Sequence, residues 1–347
     1  MEPYSIMDLT KINDTYALWT SQLPDIQVYY AMKCNPHPLI LQRVSELGIH
    51  VDCASKQEIM SALSCVTPDR IIYANPCKFP SHITYAKEQG VSLTVVDCEC
   101  EMYKMKVIYP ECRLLLRIEV HDESSQCKLS GKFGCSMEEV PSLLALAKDL
   151  ELPLVGFSFH VGSGCTQPTL YYDALRDCYT ATQMAETMGI PIEIIDIGGG
   201  FNQSNFLACA EQVQRGMTLL KGKQFISEVG RFLVEQTQTL HVHVICKKRK
   251  EKRIYYLNDG VYGTFNCKLF DHAKPVFRYK HGELFESTLY GPTCDSFDMI
   301  EESILLPELA VGDELILENF GAYTNASSTS FNGYTMEIRE KSKYTSC

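Results

Sequence analysis

The chain has 347 residues, 45% apolar and 22% charged, with 43 acidic against 32 basic side chains and a net charge of −11 at pH 7. That length allows two domains, one of them barrel-sized. The acidic balance excludes a typical nucleic-acid partner, which needs a lysine and arginine excess to meet phosphate, and no apolar stretch approaches the roughly 18 residues that span a bilayer.

The start, MEPYSIMDLT, lacks the basic and apolar regions of an export signal. The 16 cysteines are scattered, with no C-x-x-C pair, and Cys98-Glu-Cys100 has poor metal-ligand spacing. They read as reduced thiols of a cytoplasmic protein, with no metal site.

In chain order, residues 1–26 form an N-terminal segment whose YSIMDL is expected to be a strand joining a C-terminal sheet. Eight short apolar runs follow: VYYAMK (28–33), HVDCA (50–54), RIIYAN (70–75), LTVVD (93–97), RLLLRIEV (113–120), LVGFSFH (154–160), IEIIDIGGG (192–200) and FISEVGR (225–231). Helix-like segments separate them. One is KQEIMSALSC, where Ser55 and Glu58 have capping-box spacing; others are 137–150 and 168–188. This alternation predicts a closed TIM-like (β/α)8 barrel over 27–233, with function at the carboxyl ends of its strands. Those ends carry Lys33, Asp52, Asn75, Asp97, Arg117, His160, Gly198–Gly200 and Glu228–Arg231. From 234 to 347 the texture is β-rich, with turns at Asp259-Gly260, Gly291-Pro292 and Gly312-Asp313, and predicts a sandwich- or barrel-like β domain. The basic run KKRKEKR (247–253) lies between two of its strands as a solvated loop.

Each chemical candidate has a plain reading beside the functional one. Lys33 alone is a lysine that snorkels out at a strand end; held in apolar surroundings it becomes a better amine nucleophile. His160 alone is a satisfied core histidine; at a barrel mouth it can stack on a flat cofactor. Glycine clusters serve tight turns. The clusters in SFHVGSGCT (158–166) and IDIGGGF (195–201), with Ser163 and Arg231, also make a phosphate cradle. Glu228, three residues before Arg231, then suits a ring nitrogen at the cofactor's other end. Lysine, cradle and carboxylate together describe pyridoxal phosphate.

YYAMKCN, VDCASKQEI, RIIYANPCK, FHVGSGCT, DIGGGF, NDGVYGTFNC, LFDHA, GPTCDSFD and ENFGAYTNASSTSFNG strongly resemble eukaryotic ornithine decarboxylase, nearly end to end. The resemblance implies a pyridoxal phosphate-binding barrel followed by a β domain, and decarboxylation of L-ornithine to putrescine in polyamine biosynthesis. Lys33 then carries the Schiff base, His160 stacks on the ring, and Glu228 pairs with the ring nitrogen. Ser163, Gly200, Arg231 and Tyr323 hold the phosphate, Gly230 also belongs to the cofactor site, and Asp52, Glu58 and Arg117 order the surroundings. Asp271 and Asp295 receive the distal ammonium in a pocket with Tyr262 and Phe331, and Cys294 controls protonation after carbon dioxide leaves. In the family, Cys294, Asp295 and Tyr262 come from the partner of a head-to-tail homodimer, and Lys132 and Asp298 bridge its interface.

Three positions depart from the family. Val229 replaces a proline, the N-terminus is shorter by roughly a few dozen residues, about a strand, and FNQSN (201–205) replaces a proline–glycine turn. There is no room for a long degradation tail. Lys104 matches one basic position of the antizyme-binding surface, whereas Thr84 stands where a lysine is expected, leaving antizyme an open partner. The alternatives are an inactive paralogue like antizyme inhibitor, or the same chemistry on lysine, arginine or an apolar amino acid.

Overall fold

The computed structural model describes residues 2–120, 125–127 and 131–341. The chain divides into two compact units: Asp14–Leu233, and Met1–Asn13 with Val234–Cys347.

Strand β1 (Tyr4–Met7) and the first residues of helix α1 (Thr10–Gln22) belong to the second unit. The first unit therefore begins at Asp14 and not at the expected 27. The reason is Trp19 of α1, fully buried in an aromatic cluster with Phe201, Phe206 and Phe232 at centroid distances of 5.1, 5.4 and 6.1 Å.

Eight strands, β2 (Ile26–Ala31), β3 (His50–Cys53), β4 (Ile71–Tyr73), β5 (Leu93–Val96), β6 (Arg113–Arg117), β8 (Leu154–Ser158), β10 (Ile194–Asp196) and β11 (Gln224–Val229), close a barrel of parallel strands. β7 (Ser125–Cys127) and β9 (Ser163–Cys165) form a separate antiparallel pair. Between the barrel strands run helices α2 (Pro38–Glu46), α3 (Lys56–Ala62), α4 (Pro80–Glu88), α5 (Glu99–Ile108), α6 (Val140–Asp149), α7 (Thr169–Thr187) and α8 (Phe206–Met217). Their starts are legible: Pro opens α2, α4 and, at its second position, α6, where a missing N–H costs nothing. Ser55 caps α3 by accepting the Glu58 N–H at 3.2 Å. Glu58 reaches back one residue further than a capping box predicts, to the N–H of Ala54 at 2.5 Å.

Tyr29, Ile72, Val95, Leu115, Val155, Ile194 and Ile226 fill the barrel interior as one buried apolar cluster. Because side chains alternate along a strand, residues two further on face the same interior. That rule builds the site.

The second unit holds one seven-stranded mixed sheet where a sandwich- or barrel-like domain is expected. Its strands are β1, β12 (Gln238–Arg249), β13 (Arg253–Leu257), β14 (Leu284–Tyr290), β15 (Met299–Pro307), β16 (Glu314–Leu317) and β17 (Glu337–Glu340). β1 is antiparallel to β12 and parallel to β17, and β16 also pairs with β12. Leu240, Val242, Tyr255, Leu257, Leu289 and Leu315 lie in its core. Fourteen of the cysteines, Cys34 to Cys294, are free, and among the described residues no helix is long and apolar enough to cross a membrane.

Candidate active site

One pleat beyond the apolar layer, toward the carboxyl ends of the strands, the interior turns charged. Asp52, Arg117, Asp196 and Glu228 stand two residues after His50, Leu115, Ile194 and Ile226, and Asp97 follows β5 two residues after Val95. Asp52, Arg117, Asp196 and Glu228 are all buried. Burial opposes the charge on Arg117, and Glu228, Asp97, Asp196 and Asp52 favour it. One arginine thus stands among four acids.

Lys33 sits in the turn Met32–Cys34 directly after β2, its Nζ 3.4 Å from Asp52 Oδ2. The preceding apolar residues predict a lysine in apolar surroundings, but its side chain is 44% exposed and its ion-pair partner is Asp52. Valine, tyrosine and methionine go into the core, and the amine is left toward the mouth. The other oxygen of Asp52 is buried with no hydrogen-bond partner among the described residues, as is Nε of Arg117. Buried polar atoms in this state call for a bound polar group.

His160 follows β8, and its Nδ1 accepts the Gly162 N–H at 3.0 Å, which puts the ring proton on Nε2. Burial, then Arg117 and Lys33, hold its pKa well below the usual histidine value, so the ring is neutral. It presents a flat, uncharged face.

The glycine turn after β10 is shaped by close approach. A Cβ on Gly198 would lie 2.2 Å from the Phe159 carbonyl oxygen, one on Gly199 2.6 Å from the Glu228 carbonyl oxygen, and one on Gly200 2.6 Å from that of Gly162. Gly198 and Gly200 also have φ of +62° and +105°. Beside this turn, Arg231 donates to Ser163 Oγ from Nε at 3.4 Å and Nη2 at 3.2 Å. Buried Gly230 turns the chain between Glu228 and Arg231, and its carbonyl accepts the Leu233 N–H at 3.0 Å. Val229 stays in β11, buried, opposite Tyr30 of β2. In FNQSN, Asn205 Nδ2 donates to the carbonyls of Cys165 at 2.9 Å and Gly200 at 3.1 Å. One amide therefore bridges the two glycine turns.

Two acids face each other at the centre. Asp196 Oδ1 accepts the Gly198 N–H at 2.9 Å, and burial pushes its carboxyl up to about 7. Glu228 is pushed well above the carboxylate range by burial, then by Asp196 and Asp52. Glu58 is also raised by burial, against the Ala54 N–H. Asp196 and Asn205 were not singled out in the sequence. Asp196 had a signal, an acid two residues after an inward apolar residue; Asn205 had none, because its role is set by two loops distant in sequence.

In the second unit Tyr262 is the hub. Its hydroxyl donates to Asp295 Oδ2, its ring stacks on Phe331 at 4.5 Å, and both rings line a cavity of about 460 Å³. The Tyr262 bond and the Phe297 N–H hold Asp295 below the usual carboxylate value. Exposed Cys294 donates its thiol to Asn332 Oδ1 at 3.3 Å, and its N–H to the same oxygen at 3.1 Å. Buried Asp271 follows the short helix Cys267–Phe270, its N–H on the Cys267 carbonyl at 3.0 Å. Tyr323 has φ +55°. Asp298 is buried and accepts the N–H groups of Val261 at 2.8 Å and Thr293 at 3.0 Å, while Lys132 of the first unit is exposed.

A lysine at a strand end, a neutral histidine, a buried carboxylate and a cradle with no room for side chains define the class, a barrel enzyme that works through pyridoxal phosphate. The pyridoxal-binding domain of the pyridoxal-dependent decarboxylases matches residues 9–235. The chain is 41% identical to an ornithine decarboxylase of Schizosaccharomyces pombe, over 96% of this chain and 82% of that one. It is 39% identical to antizyme inhibitor 2 of Xenopus laevis, over 96% and 79%. The arginine decarboxylase of Paramecium bursaria Chlorella virus superposes with a TM-score of 0.94 at 31% identity, covering 98% of this chain and 96% of that one. The chain belongs to the pyridoxal-dependent amino-acid decarboxylases, in the ornithine decarboxylase-like group.

Proposed function

We propose that the protein decarboxylates L-ornithine to putrescine and carbon dioxide, as a cytoplasmic enzyme of polyamine biosynthesis. The observation that carries this is the charged layer over the apolar layer: Lys33, Asp52, Arg117, His160 and Glu228 converge at one barrel mouth beside the Gly198–Gly200 turn.

Pyridoxal phosphate, when bound, supplies the electron sink that lets an amino acid lose its carboxylate. Lys33 provides the amine for covalent attachment, and Asp52 keeps that amine near the mouth. Ser163, Arg231 and the Gly200 backbone suit the phosphate, whose charge the arginine meets. The neutral ring of His160 would suit the flat face of the pyridine without repelling a proton on it, Glu228 would suit the ring nitrogen, and Asp52, Glu58 and Arg117 would line the walls. Tyr262, Cys294 and Asp295 complete the site of the partner protomer in a head-to-tail homodimer. There Asp295, an ionised carboxylate beside Tyr262 and Phe331, takes the distal ammonium together with Asp271, and Cys294 governs the returning proton.

Carbon dioxide release from L-ornithine, with lysine and arginine in parallel and pyridoxal phosphate added, tests this. Release from ornithine that vanishes in Lys33→Ala is the expected result; release from lysine or arginine alone changes the substrate. The 39% identity to antizyme inhibitor 2 favours a second reading, a cofactor-free binding protein for antizyme. It predicts silence on all three substrates and no cofactor absorbance band. Lys104 bonds the Lys78 carbonyl at 2.7 Å and Glu101 at 2.6 Å, so its ammonium is already partnered for any such contact.

A further inference from the structure

Asp196 has no part in the roles above, yet no acid in the barrel is more enclosed: its exposure is 0%. In the parallel register of β10 and β11, Asp196 stands opposite Ile226. Glu228 is therefore its diagonal neighbour, two residues beyond Ile226 on the adjacent strand and on the same inward face. A second link runs through the backbone. Asp196 Oδ1 holds the Gly198 N–H at 2.9 Å, and the Gly198 carbonyl accepts both the Glu228 N–H at 2.9 Å and Ser227 Oγ at 2.7 Å. Asp196 thus fixes the glycine turn and, through it, the strand that carries Glu228.

The charges around the pair come from every strand that faces it. Asp52 and Asp97 add negative charge; Arg117 and Lys33 add positive charge; His160 is neutral. With all four acids ionised the layer would carry two uncompensated negative charges in a buried space. Two neighbouring buried carboxyls relieve that strain by keeping one proton between them.

We propose that Asp196 is a positioning residue that lets this site store one proton beside Glu228 and pass it to the ring nitrogen of pyridoxal phosphate as the cofactor seats. The inference rests on the reading of Glu228 as the partner of that nitrogen. The transfer balances: the carboxyl pair goes from one negative charge to two, and the ring nitrogen from neutral to positive, with no proton drawn from water. The upward shifts of both carboxyls agree with a stored proton at neutral pH.

The test is calorimetric titration of pyridoxal phosphate into the full-length apoprotein, in buffers of different ionisation enthalpy, for the wild type, Asp196→Asn and Glu228→Gln. Asp196→Asn keeps an acceptor for the Gly198 N–H but stores no proton. It should take up about one more proton from the buffer than the wild type on loading. Its cofactor affinity, relative to wild type, should fall up to about tenfold per pH unit above neutrality, the slope of a one-proton linkage. A folded Asp196→Asn with wild-type proton count and pH profile overturns the proposal. If Glu228→Gln changes both quantities while Asp196→Asn changes neither, only the role of Asp196 falls; if Glu228→Gln changes neither, the reading of Glu228 falls with it. Infrared spectra of the wild type need no variant: a carboxylic-acid carbonyl band in the apoprotein should fade on loading, and its absence overturns the stored proton.

Discussion

The Gly198 carbonyl accepts the backbone N–H of Glu228 at 2.9 Å, so the glycine turn and the acid on the next strand move as one piece. Alanine at 198 would place its Cβ 2.2 Å from the Phe159 carbonyl oxygen and 2.9 Å from the His160 Cα, on a backbone with φ +62°. Neither neighbour is a side chain that can swing away. Gly198→Ala should therefore lose more than about 1 kcal/mol of stability, and weaken cofactor binding at least tenfold by moving the turn and Glu228 together. Denaturant unfolding and cofactor titration check both effects; a variant with intact stability but lost affinity contradicts the shared cause.

Lys78, in the loop between β4 and α4, lies inside the protein. Its Nζ bonds the Val95 carbonyl at 2.7 Å and the Asn75 carbonyl at 3.1 Å, and pairs with Glu101 at 3.0 Å, with side-chain exposures of 0% and 3%. Burial lowers the Lys78 pKa, and Glu101 opposes it. Removing one partner leaves a buried charge unmatched, which costs about 3–5 kcal/mol, whereas an apolar pair of similar volume is often neutral. Glu101→Leu should be severely destabilised and Lys78→Met/Glu101→Leu should recover most of the loss. Unfolding free energies of the two single variants and the double variant measure the coupling.

The eight barrel strands were legible because each is a short, nearly continuous apolar run closed by a polar or glycine residue, the signature of strands buried on both faces. Lys33, Asp52, Arg117 and Glu228 were legible for the same reason, as interruptions of that pattern. The exposure of Lys33 was not, since an apolar run says where its own side chains go and nothing of the residue just past its end. The attachment of Trp19 to Phe201, Phe206 and Phe232 spans more than 180 positions, and no local pattern records it. In the second unit, turns and alternating strands predicted a β fold, but β1 between β12 and β17 is a choice of edges that strand composition leaves open.

In the second unit, burial raises the Asp259 carboxyl to about 6, against the N–H groups of Gly260 and Thr264 and the Thr264 hydroxyl. Its folded value lies above the ordinary 3.8. Folding then binds a proton, so its contribution is fully present below about 3.8 and is lost as pH rises through about 6. The span of about two units corresponds to about 3 kcal/mol. The stability of the wild type relative to Asp259→Asn should therefore fall as pH is raised from about 4 to about 7. Unfolding free energies of both proteins across that window give the sign; a relative stability that rises with pH contradicts a raised carboxyl.

Lys33 lies in the first unit, while Tyr262, Cys294 and Asp295 lie together in the second. If one protomer supplies the lysine and the other the cysteine, Lys33→Ala and Cys294→Ala should each be inactive yet complement one another. Random reassociation of equal amounts gives half mixed dimers. Each of these holds one site with both defects and one with neither, so activity should return to about a quarter of the wild-type value. The Lys33 side chain is 44% exposed and Cys294 is exposed, so neither substitution creates a cavity that would block assembly. The Lys33→Ala/Cys294→Ala double variant mixed with wild type is the control: its mixed dimers also carry one lysine and one cysteine, but pair each with a defect, and should add no activity. Recovery to about a quarter in the first mixture, with the second falling from about half to about a quarter because only its wild-type homodimers work, is the outcome of a site shared across two copies of the chain; silence in the first mixture with the second held at about half places lysine and cysteine in the same protomer's site.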